Sequence, residues 1–408
     1  MKMTAVSTYA PLVTLSEKQQ TISYQEIYPE QRSEPTFANP NVQEEIRPQL
    51  GRATQRALLL KAAREQYTLV TDHAIPSISN KDEILVKVLQ SVFQGWTCRA
   101  FNFGIPSLPW VNGRDLAGVV VKADRSSRVQ EGDIVLVPST DYRDIRKAAF
   151  QEYAIATHFN AARIPPTQSI HASASLGVAY VASALALGVS LGLDFSHASA
   201  CPGPDLTEVV RQLDTDTIPA DIRDELTHLA STTTGYITLQ LAKLAGLKVI
   251  CVADIARHGA RLVDLGADAL VDRHDTQRAV DIIKGLTKGK LRYAIDIVGK
   301  DTATLLQQTL DDAVREDGSH AHLLGLTGLP KDRGSNVIYH TVPIKLFHTS
   351  PQVGERMVSW LEDLLHSGAL QLPEIIRTDG GLGNVNASLE LLRQGTASGK
   401  RIVVDLAG

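Results

Sequence analysis

The chain has 408 residues, of which 43% are hydrophobic and 21% charged, and its formal net charge is −4. This length exceeds the usual size of a single hydrophobic core, so we expect two domains. The weak negative charge, without a dense Lys/Arg block, argues against nucleic acid or an anionic membrane as a partner. Cys98, Cys201 and Cys251 are far apart and form no CxxC pair, which predicts reduced thiols in a cytoplasmic protein.

The first third of the chain predicts a tail followed by short strands. Residues 1–52 are polar and lack a sustained period, which is typical of disorder. From Arg56 onward, apolar runs of strand length alternate with polar turns, and this pattern predicts a small irregular β-barrel. The predicted strands are Ala57–Leu60, Ile84–Val88, Leu116–Val121, Asp133–Val137 and Gln151–Ala156.

Helices and strands alternate in the middle of the chain. Ser173–Leu193 predicts a helix, and a polar insert at 196–224 contains a further helical piece, Leu206–Leu213. Four helix–strand pairs follow, which is typical of a parallel sheet with helices on both faces and a ligand site at the carboxyl ends of the strands. The pairs are Gly235–Ala245 with Leu247–Ala253, Arg257–Leu265 with Ala269–Val271, Arg278–Leu286 with Arg292–Val298, and Thr302–Leu310 with Ala321–Leu326.

The C-terminal part returns to the first pattern, with predicted helices Val353–Leu365 and Leu382–Arg393 and a last strand, Lys400–Asp405. We therefore expect a discontinuous domain, residues 53–176 plus 348–408, around a nucleotide-binding domain at 177–347. The cleft between two such domains is the expected site.

A candidate phosphate-binding turn precedes the helix Gly235–Ala245. Helix N-terminal N–H groups and the helix dipole favour a pyrophosphate, and Gly235 allows close packing of helix on strand. An ordinary N-cap gives the same pattern, so both interpretations stay open. The residues predicted to bind the cofactor here are Ser231, Thr232, Thr233, Thr234, Gly235 and Tyr236.

The next strand ends carry the candidates for cofactor choice. Asp254 follows Leu247–Ala253, where a carboxylate can bind the ribose 2′-hydroxyl of NAD. Arg257 and Arg261 come next, and guanidinium groups suit the 2′-phosphate of NADP, although an Arg-rich surface helix is the alternative. We predict NADP, with NAD as the alternative. The later strand ends Val298-Gly299 and Gly325-Leu326 are expected to line the nicotinamide.

Six segments together resemble the medium-chain dehydrogenase/reductase superfamily, and within it the zinc-free quinone oxidoreductase and fungal trans-enoyl reductase branch. They are PWVNGRDLAGVVVKA (109–123), EGDIVLV (131–137), FQEYAIA (150–156), TGYITLQLAKLAG (234–246), DLGADALVD (264–272) and SGKRIVVDL (398–406). The resemblance implies an α/β fold, a GroES-like β-barrel domain plus a Rossmann doubly wound parallel sheet. It also implies an NADP(H)-dependent oxidoreductase of fungal secondary metabolism, compatible with a homodimer and with a polyketide synthase as partner.

The resemblance further implies chemistry without zinc. Zinc-dependent members have a Gly-His-Glu motif near the metal, where this chain has Gly113-Arg114-Asp115. An arginine cannot ligate zinc, and Cys98 has no neighbouring ligand in the sequence. The expected reaction is hydride transfer to the polarised double bond of an enone, an enoyl thioester or a quinone.

No motif identifies the group that donates to the substrate. Related enoyl reductases often have an Asn-Pro-x-Asp-x-Lys-like stretch where this chain has Ser91–Arg99, so Thr97 stands near the place of the lysine. The polar run Asp141–Lys147 offers Tyr142 as a proton donor and Arg146 as an anion-binding group. A solvated charged loop is the alternative interpretation of this run.

The strand that normally leads into the phosphate turn is missing from the pattern. Residues 221–230 are mostly polar, and Leu226, Leu229 and Ala230 have a spacing closer to that of a helix. Either Thr227–Ala230 forms a short, poor central strand or the sheet lacks its first strand, with a cost in exposed strand edges. A divergent enzyme and an incorrectly assembled gene both explain this. The alternative function is a catalytically weak family member that acts as a binding or structural partner of a biosynthetic enzyme.

Overall fold

A computed structural model of the chain describes residues 53–93, 107–139, 141–213, 232–310, 318–395 and 397–406, with the backbone alone at Thr232 and Thr233. The predicted tail, residues 1–52, lies outside this range. The described strands are β1 Thr54–Leu60, β2 Thr68–Ala74, β3 Glu83–Val92, β4 Trp110–Val111, β5 Asp115–Lys122, β6 Ile134–Pro138, β7 Tyr153–Thr157, β8 Ala162–Arg163, β9 Ile250–Ala253, β10 Ala269–Asp272, β11 Tyr293–Asp296, β12 Ala321–Gly325, β13 Val337–His340, β14 Ile375–Thr378 and β15 Arg401–Asp405. The described helices are α1 Ile170–Ala174, α2 Gly177–Leu185, α3 Leu206–Arg211, α4 Thr232–Leu244, α5 Ile255–Asp264, α6 Thr276–Thr287, α7 Lys300–Gln307, α8 Leu346–Thr349, α9 Pro351–Ser367 and α10 Val385–Arg393.

A mixed sheet of seven strands forms around the long, buried strand β3. Its order is β14–β15–β3–β5–β6–β8, and β7 pairs with the first half of β3. β5 pairs with one edge of β3. On the other edge of β3, β7 pairs with Glu83–Lys87 and β15 pairs with Gln90–Val92. A second sheet has the order β2–β1–β4. Over the described residues both sheets are open and do not close into the predicted barrel, and they lie in the part of the chain that is expected to be GroES-like within the α/β fold.

The predicted alternation of helix and strand is confirmed in the second half of the chain. β9 and β10 pair in parallel, and so do β11, β12 and β13 in that order. Helices α5, α6 and α7 connect β9 to β10, β10 to β11 and β11 to β12. The Asp254 and Asp275 side chains accept hydrogen bonds from backbone N–H groups at the starts of α5 and α6, as N-caps do.

These parallel strands form two separate pieces within the described part of the chain. There, β9 pairs only with β10, and β11 pairs only with β12. In a doubly wound sheet of order 3-2-1-4-5-6, the first strand stands between the second and the fourth. The division therefore falls where the sequence pattern lacks a strand. The stretch Thr227–Ala230 itself lies outside the described residues.

A buried helical layer connects the two halves of the structure. Every residue of α2 is buried, and the Tyr180 hydroxyl donates to the backbone oxygen of Met357 in α9 at 2.8 Å. The Ser183 hydroxyl contacts α4, at 3.2 Å from the Thr234 backbone oxygen. A single helix at Ser173–Leu193 was expected, but the helix is interrupted after α1, where the Ser175 hydroxyl bonds back to its own turn. None of the described helices is long and apolar enough to cross a lipid bilayer.

Candidate active site

A small opening, with a cavity volume of about 10 Å³ and continuous with solvent, lies between the β4–β5 turn and the segment after β6. Its wall includes Trp110, Asn112, Arg114, Ser139, Tyr142 and Ala148. We call it the Arg114 pocket. Its lining is mostly polar and also includes the carboxylates of Asp141 and Asp144.

Arg114 and Tyr142 form a stacked pair in this pocket. The guanidinium carbon of Arg114 lies 4.9 Å from the centre of the Tyr142 ring, within the range of a cation–π contact. The Arg114 guanidinium also donates to the backbone oxygen of Ser139 at 2.8 Å. Burial lowers the pKa of Arg114 to about 10, against an opposing effect of Asp115, so the side chain is protonated at neutral pH.

The loop that carries Tyr142 is held by ion pairs. Lys147 Nζ lies 2.8 Å from a carboxylate oxygen of Asp141. The Arg146 guanidinium lies 2.7 Å from Asp144 and 2.8 Å from Glu83. The predicted role of Arg146 as an anion-binding group would require these bonds to break. Thr97, the other predicted donor, lies outside the described residues.

His348 and Lys345, close to the start of α9, add to the electrostatics of the Arg114 pocket. Burial lowers the pKa of His348 to about 4, against the opposing effect of Asp141, and the positive charges of Lys147, Arg114 and Lys345 act in the same direction as burial. His348 is therefore neutral at physiological pH. Neither residue was among the sequence candidates, because nothing in their local sequence indicates that the chain returns to this point.

Asp115 connects the Arg114 pocket to the helical layer. Both carboxylate oxygens accept from the backbone N–H of Val178, at 3.0 and 3.1 Å, at the start of α2. A Cβ at Gly177 would overlap this carboxylate, so a residue without a side chain is required there. Burial raises the pKa of Asp115 to about 7, against the effects of Val178 and Arg401. Because α2 also contacts α4, one buried helix links the pocket to the predicted phosphate turn.

The predicted phosphate turn is described from Thr232 onward, and Ser231 lies outside. α4 begins at Thr232, so the turn is already helical. Thr234 is buried, and the Thr238 hydroxyl donates to its backbone oxygen at 2.7 Å. A Cβ added at Gly235 would lie 2.8 Å from Cδ1 of Ile297. The first turn of α4 therefore packs closely against Ile297, the residue that follows β11.

Several predicted cofactor residues make contacts within the protein. Oδ1 of Asp254 accepts from the backbone N–H of Arg257 at 3.2 Å, while the side chain of Arg257 is exposed. The Arg261 guanidinium donates to the Gln371 side chain at 3.0 Å and to the backbone oxygen of Leu372 at 3.2 Å. The Tyr236 hydroxyl lies 3.1 Å from Nδ1 of His258 and points toward α5.

Further bonds join the same helices to the segments before β14 and β15. Gln240 exchanges two hydrogen bonds with the backbone of Gln371, at 2.7 and 3.2 Å. Nε2 of His258 lies 3.2 Å from the Ser398 hydroxyl. We call these contacts, together with those of Arg261, the α4/α5 seam.

The remaining candidates meet at the carboxyl ends of β11 and β12. Asp296 accepts from the backbone N–H groups of Val298 and Gly299 at 3.0 and 2.8 Å, and the Val298 side chain is 64% exposed. A Cβ at Gly325 would overlap the carbonyl oxygen of Gly328. Leu326 is buried, and its N–H donates to the backbone oxygen of Asp296 at 2.8 Å. These four predicted residues are therefore close together.

The described residues contain no group of three or more His, Cys, Asp or Glu side chains arranged to hold a metal ion. Cys98 lies outside them, so zinc independence stays a prediction. The structure does show what the Gly113-Arg114-Asp115 motif contributes instead, a buried cation in a pocket. The sequence motif by itself indicates only the loss of a zinc ligand.

Comparison with known proteins gives a consistent picture. Residues 233–341 match the family model described as zinc-binding dehydrogenase. A trans-enoyl reductase of Botryotinia fuckeliana is 28% identical over 340 residues, which cover 73% of this chain and 85% of that protein. A trans-enoyl reductase of Gibberella fujikuroi is 28% identical over 317 residues, covering 72% and 83%. The structure of Escherichia coli quinone oxidoreductase complexed with NADPH is similar in fold, with a TM-score of 0.62 and 17% identity over 86% of this chain and 100% of that chain.

Proposed function

This chain is an oxidoreductase of the medium-chain dehydrogenase/reductase superfamily, in its quinone oxidoreductase and trans-enoyl reductase branch, and we propose that it uses NADPH to reduce an activated carbon–carbon double bond. The substrate is an enone, an enoyl thioester or a quinone. The observation that supports this most directly is the stacked pair of Arg114 and Tyr142 in one pocket. A cation and a phenol suit a substrate whose oxygen becomes negatively charged during reaction.

The described residues fit a dinucleotide at the carboxyl ends of β9, β11 and β12. The N-terminal N–H groups of α4 lie beside the end of β11, which suits a pyrophosphate. Exposed Val298 and the adjacent Gly299 offer a surface for the nicotinamide ring. The exposed guanidinium of Arg257, in the first turn of α5, suits a 2′-phosphate.

The chain's own groups handle charge and protons. When bound, the nicotinamide supplies a hydride. The β-carbon of the substrate accepts it, and the electron pair of the double bond moves to the carbonyl oxygen, giving an enolate. The Tyr142 phenol then delivers a proton to the substrate and is reprotonated from solvent, which reaches the Arg114 pocket directly.

Cofactor binding is the first test. The fluorescence of the three tryptophans, one of which, Trp110, lines the pocket, is titrated with NADPH and with NADH. We expect saturable binding with a preference for NADPH. The absence of binding by either nucleotide at millimolar concentration would contradict the reductase function and favour the alternative, a binding or structural partner of a biosynthetic enzyme.

Two arginine variants then identify the group that selects the 2′-phosphate. Arg257→Ala is expected to raise the Kd for NADPH about tenfold, a loss of about 1.4 kcal/mol, with little change for NADH. Arg261→Ala is the matched control, because its guanidinium already bonds to Gln371 and Leu372. Loss of NADPH preference in Arg261→Ala alone would transfer the role to Arg261. A preference for NADH in the unmodified chain would instead favour Asp254.

Turnover is the second test. Consumption of NADPH is followed with an enone, with an enoyl thioester of N-acetylcysteamine and with a quinone. Tyr142→Phe keeps the ring over Arg114 but removes the hydroxyl, so kcat should fall about a hundredfold or more while NADPH binding is retained. Unchanged turnover would show that Tyr142 is not the proton donor and would favour Thr97 as the donor.

A further inference from the structure

We infer that His258 is a positioning residue for the cofactor, which fixes the start of α5 against the start of α4 and thereby sets the preference for NADPH over NADH. This role rests on the proposed reductase function and deepens it. The groups that contact the two phosphates stay those already proposed, and His258 determines where they lie relative to each other.

Both nitrogens of the His258 ring contact hydroxyl groups from other segments of the chain. Nδ1 lies 3.1 Å from the Tyr236 hydroxyl of α4, and Nε2 lies 3.2 Å from the Ser398 hydroxyl in the segment before β15. A neutral imidazole has one donor and one acceptor nitrogen, and a hydroxyl can donate or accept, so both hydrogen bonds form together in either tautomer. One side chain therefore joins α4, α5 and the segment before β15.

Close packing holds this junction in one arrangement. Tyr236 is buried, and its ring meets the His258 ring edge-on, with the centroids 6.4 Å apart. A Cβ added at Gly399 would lie 3.0 Å from Cε1 of His258 and 3.2 Å from the Tyr236 hydroxyl oxygen. Gly399 also has a φ of +78°, which favours glycine. The backbone before β15 therefore approaches the imidazole more closely than a residue with a side chain would allow.

His258 lies next to the group proposed to bind the 2′-phosphate. It follows Arg257 in the first turn of α5, and its backbone N–H donates to the backbone oxygen of Asp254 at 2.9 Å. Burial lowers the pKa of His258 against the opposing effect of Asp254, and the positive charges of Arg257 and Arg273 act in the same direction as burial. The imidazole is therefore neutral at physiological pH, and two cations lie close to it at the end of β9.

The position of His258 matters because the parallel strands form two pieces. Within the described residues, β9 and β10 pair with each other and not with β11, β12 or β13. α5 follows β9 and carries Arg257, whereas α4 packs closely against Ile297, next to the predicted nicotinamide surface. The bond between His258 and Tyr236 therefore connects the two pieces that one cofactor must span. Groups that are fixed before binding lose less freedom when the ligand binds, which increases affinity.

His258→Ala in the full chain tests this role. The Kd for NADPH, measured by tryptophan fluorescence, and the KM for NADPH should rise about tenfold, as the loss of one or two neutral hydrogen bonds predicts, with a smaller rise for NADH. The kcat at saturating NADPH should stay nearly unchanged, because other elements carry the Arg114 pocket and the predicted nicotinamide surface. The amide of His258→Asn can replace Nδ1 and that of His258→Gln can replace Nε2, so each variant should recover part of the affinity. If His258→Ala fails to fold, these two variants are compared directly with the unmodified chain.

Gln240→Ala is the matched control. The Gln240 side chain also makes two hydrogen bonds across the α4/α5 seam, to the backbone of Gln371, but in the second half of α4. Urea unfolding without cofactor should show a loss of stability in both alanine variants, whereas only His258→Ala should lose affinity for NADPH. The positioning role is overturned if the His258 variants bind NADPH as the unmodified chain does, or if Gln240→Ala weakens binding equally. Failure of the unmodified chain to bind NADPH would overturn the proposed function itself, a separate result.

Discussion

Oε1 of Glu83 lies 2.8 Å from Nη2 of Arg146, and the Glu83 side chain is only 5% exposed. The same guanidinium bonds to Asp144 at 2.7 Å and to the Ser79 hydroxyl at 2.8 Å. The hydrogen bonds that Arg146 donates to Asp144, and next to Glu83, raise the pKa of Arg146 above its ordinary value. These contacts fix the loop that carries Tyr142 to the start of β3.

Arg146→Met should therefore destabilise the protein. It leaves the Glu83 carboxylate poorly compensated, and we expect the free energy of unfolding in urea to fall by about 1–3 kcal/mol. The double variant Glu83→Gln/Arg146→Met should recover much of this loss, because the uncompensated charge is gone. A selective rise in KM at unchanged stability would instead support an anion-binding role for Arg146.

Asp115 should make stability fall as pH rises. Its folded pKa of about 7 lies above its ordinary value of 3.8, so its contribution is fully present below about pH 3.8 and is lost as pH rises through 7. Relative to Asp115→Asn, the unmodified protein should lose about 2 kcal/mol between about pH 5.5 and pH 8. Urea unfolding of both proteins across this range measures the difference, and a constant difference would show that Asp115 is not the titrating group.

His348 should act in the opposite direction. Its folded pKa of about 4 lies below its ordinary value of 6.5, so the folded state binds fewer protons between these values. Stability from the neutral histidine is present above about pH 6.5 and is lost as pH falls toward 4, with a magnitude on the order of 1–3 kcal/mol. His348→Gln should flatten the acid limb of the profile. Asp115 titrates over an overlapping pH range and changes stability in the opposite direction. The pH profile of the free energy of unfolding of each variant must therefore be compared with that of the unmodified chain.

A glycine pair tests the predicted nicotinamide surface. In Gly325→Ala, the new Cβ overlaps the Gly328 carbonyl oxygen, so the loops after β11 and β12 must shift. We expect a loss of about 1–3 kcal/mol of stability and weaker NADPH binding. Gly285→Ala in α6 is the control, since nothing lies within 4 Å of its Cβ and alanine favours helix by about 0.5–1 kcal/mol. Equal NADPH affinity in both variants would show that Gly325 is not part of the cofactor site.

The sequence predicted the long, buried elements well. β3 and β5 are apolar over most of their length, so their residues indicate a strand whatever they pack against. β2, in contrast, is mostly exposed and polar, and β13 and β14 have four residues each. Such strands are specified by their neighbours in the sheet, and a local pattern does not indicate them.

The candidate site could be predicted only in part, for a related reason. Sequence order identified Tyr142 and the Gly113-Arg114-Asp115 motif, but not that the arginine stacks on the tyrosine 28 positions further on. Arg261 has the expected position for a phosphate ligand, yet its guanidinium bonds to Gln371 and Leu372, more than 100 residues away in sequence. Which group a long cationic side chain pairs with depends on tertiary contacts.

The α4/α5 seam restricts how the parallel strands can move against the seven-stranded sheet. Its hydrogen bonds, which range from 2.7 to 3.2 Å at Gln371, Leu372 and Ser398, are lost if their atoms separate by about 1 Å. In a rigid-body rotation, displacement grows with distance from the axis. If the parallel strands rotate against the seven-stranded sheet and the seam stays intact, the rotation axis must therefore lie close to Gln371. The displacement is then greatest for the atoms farthest from Gln371.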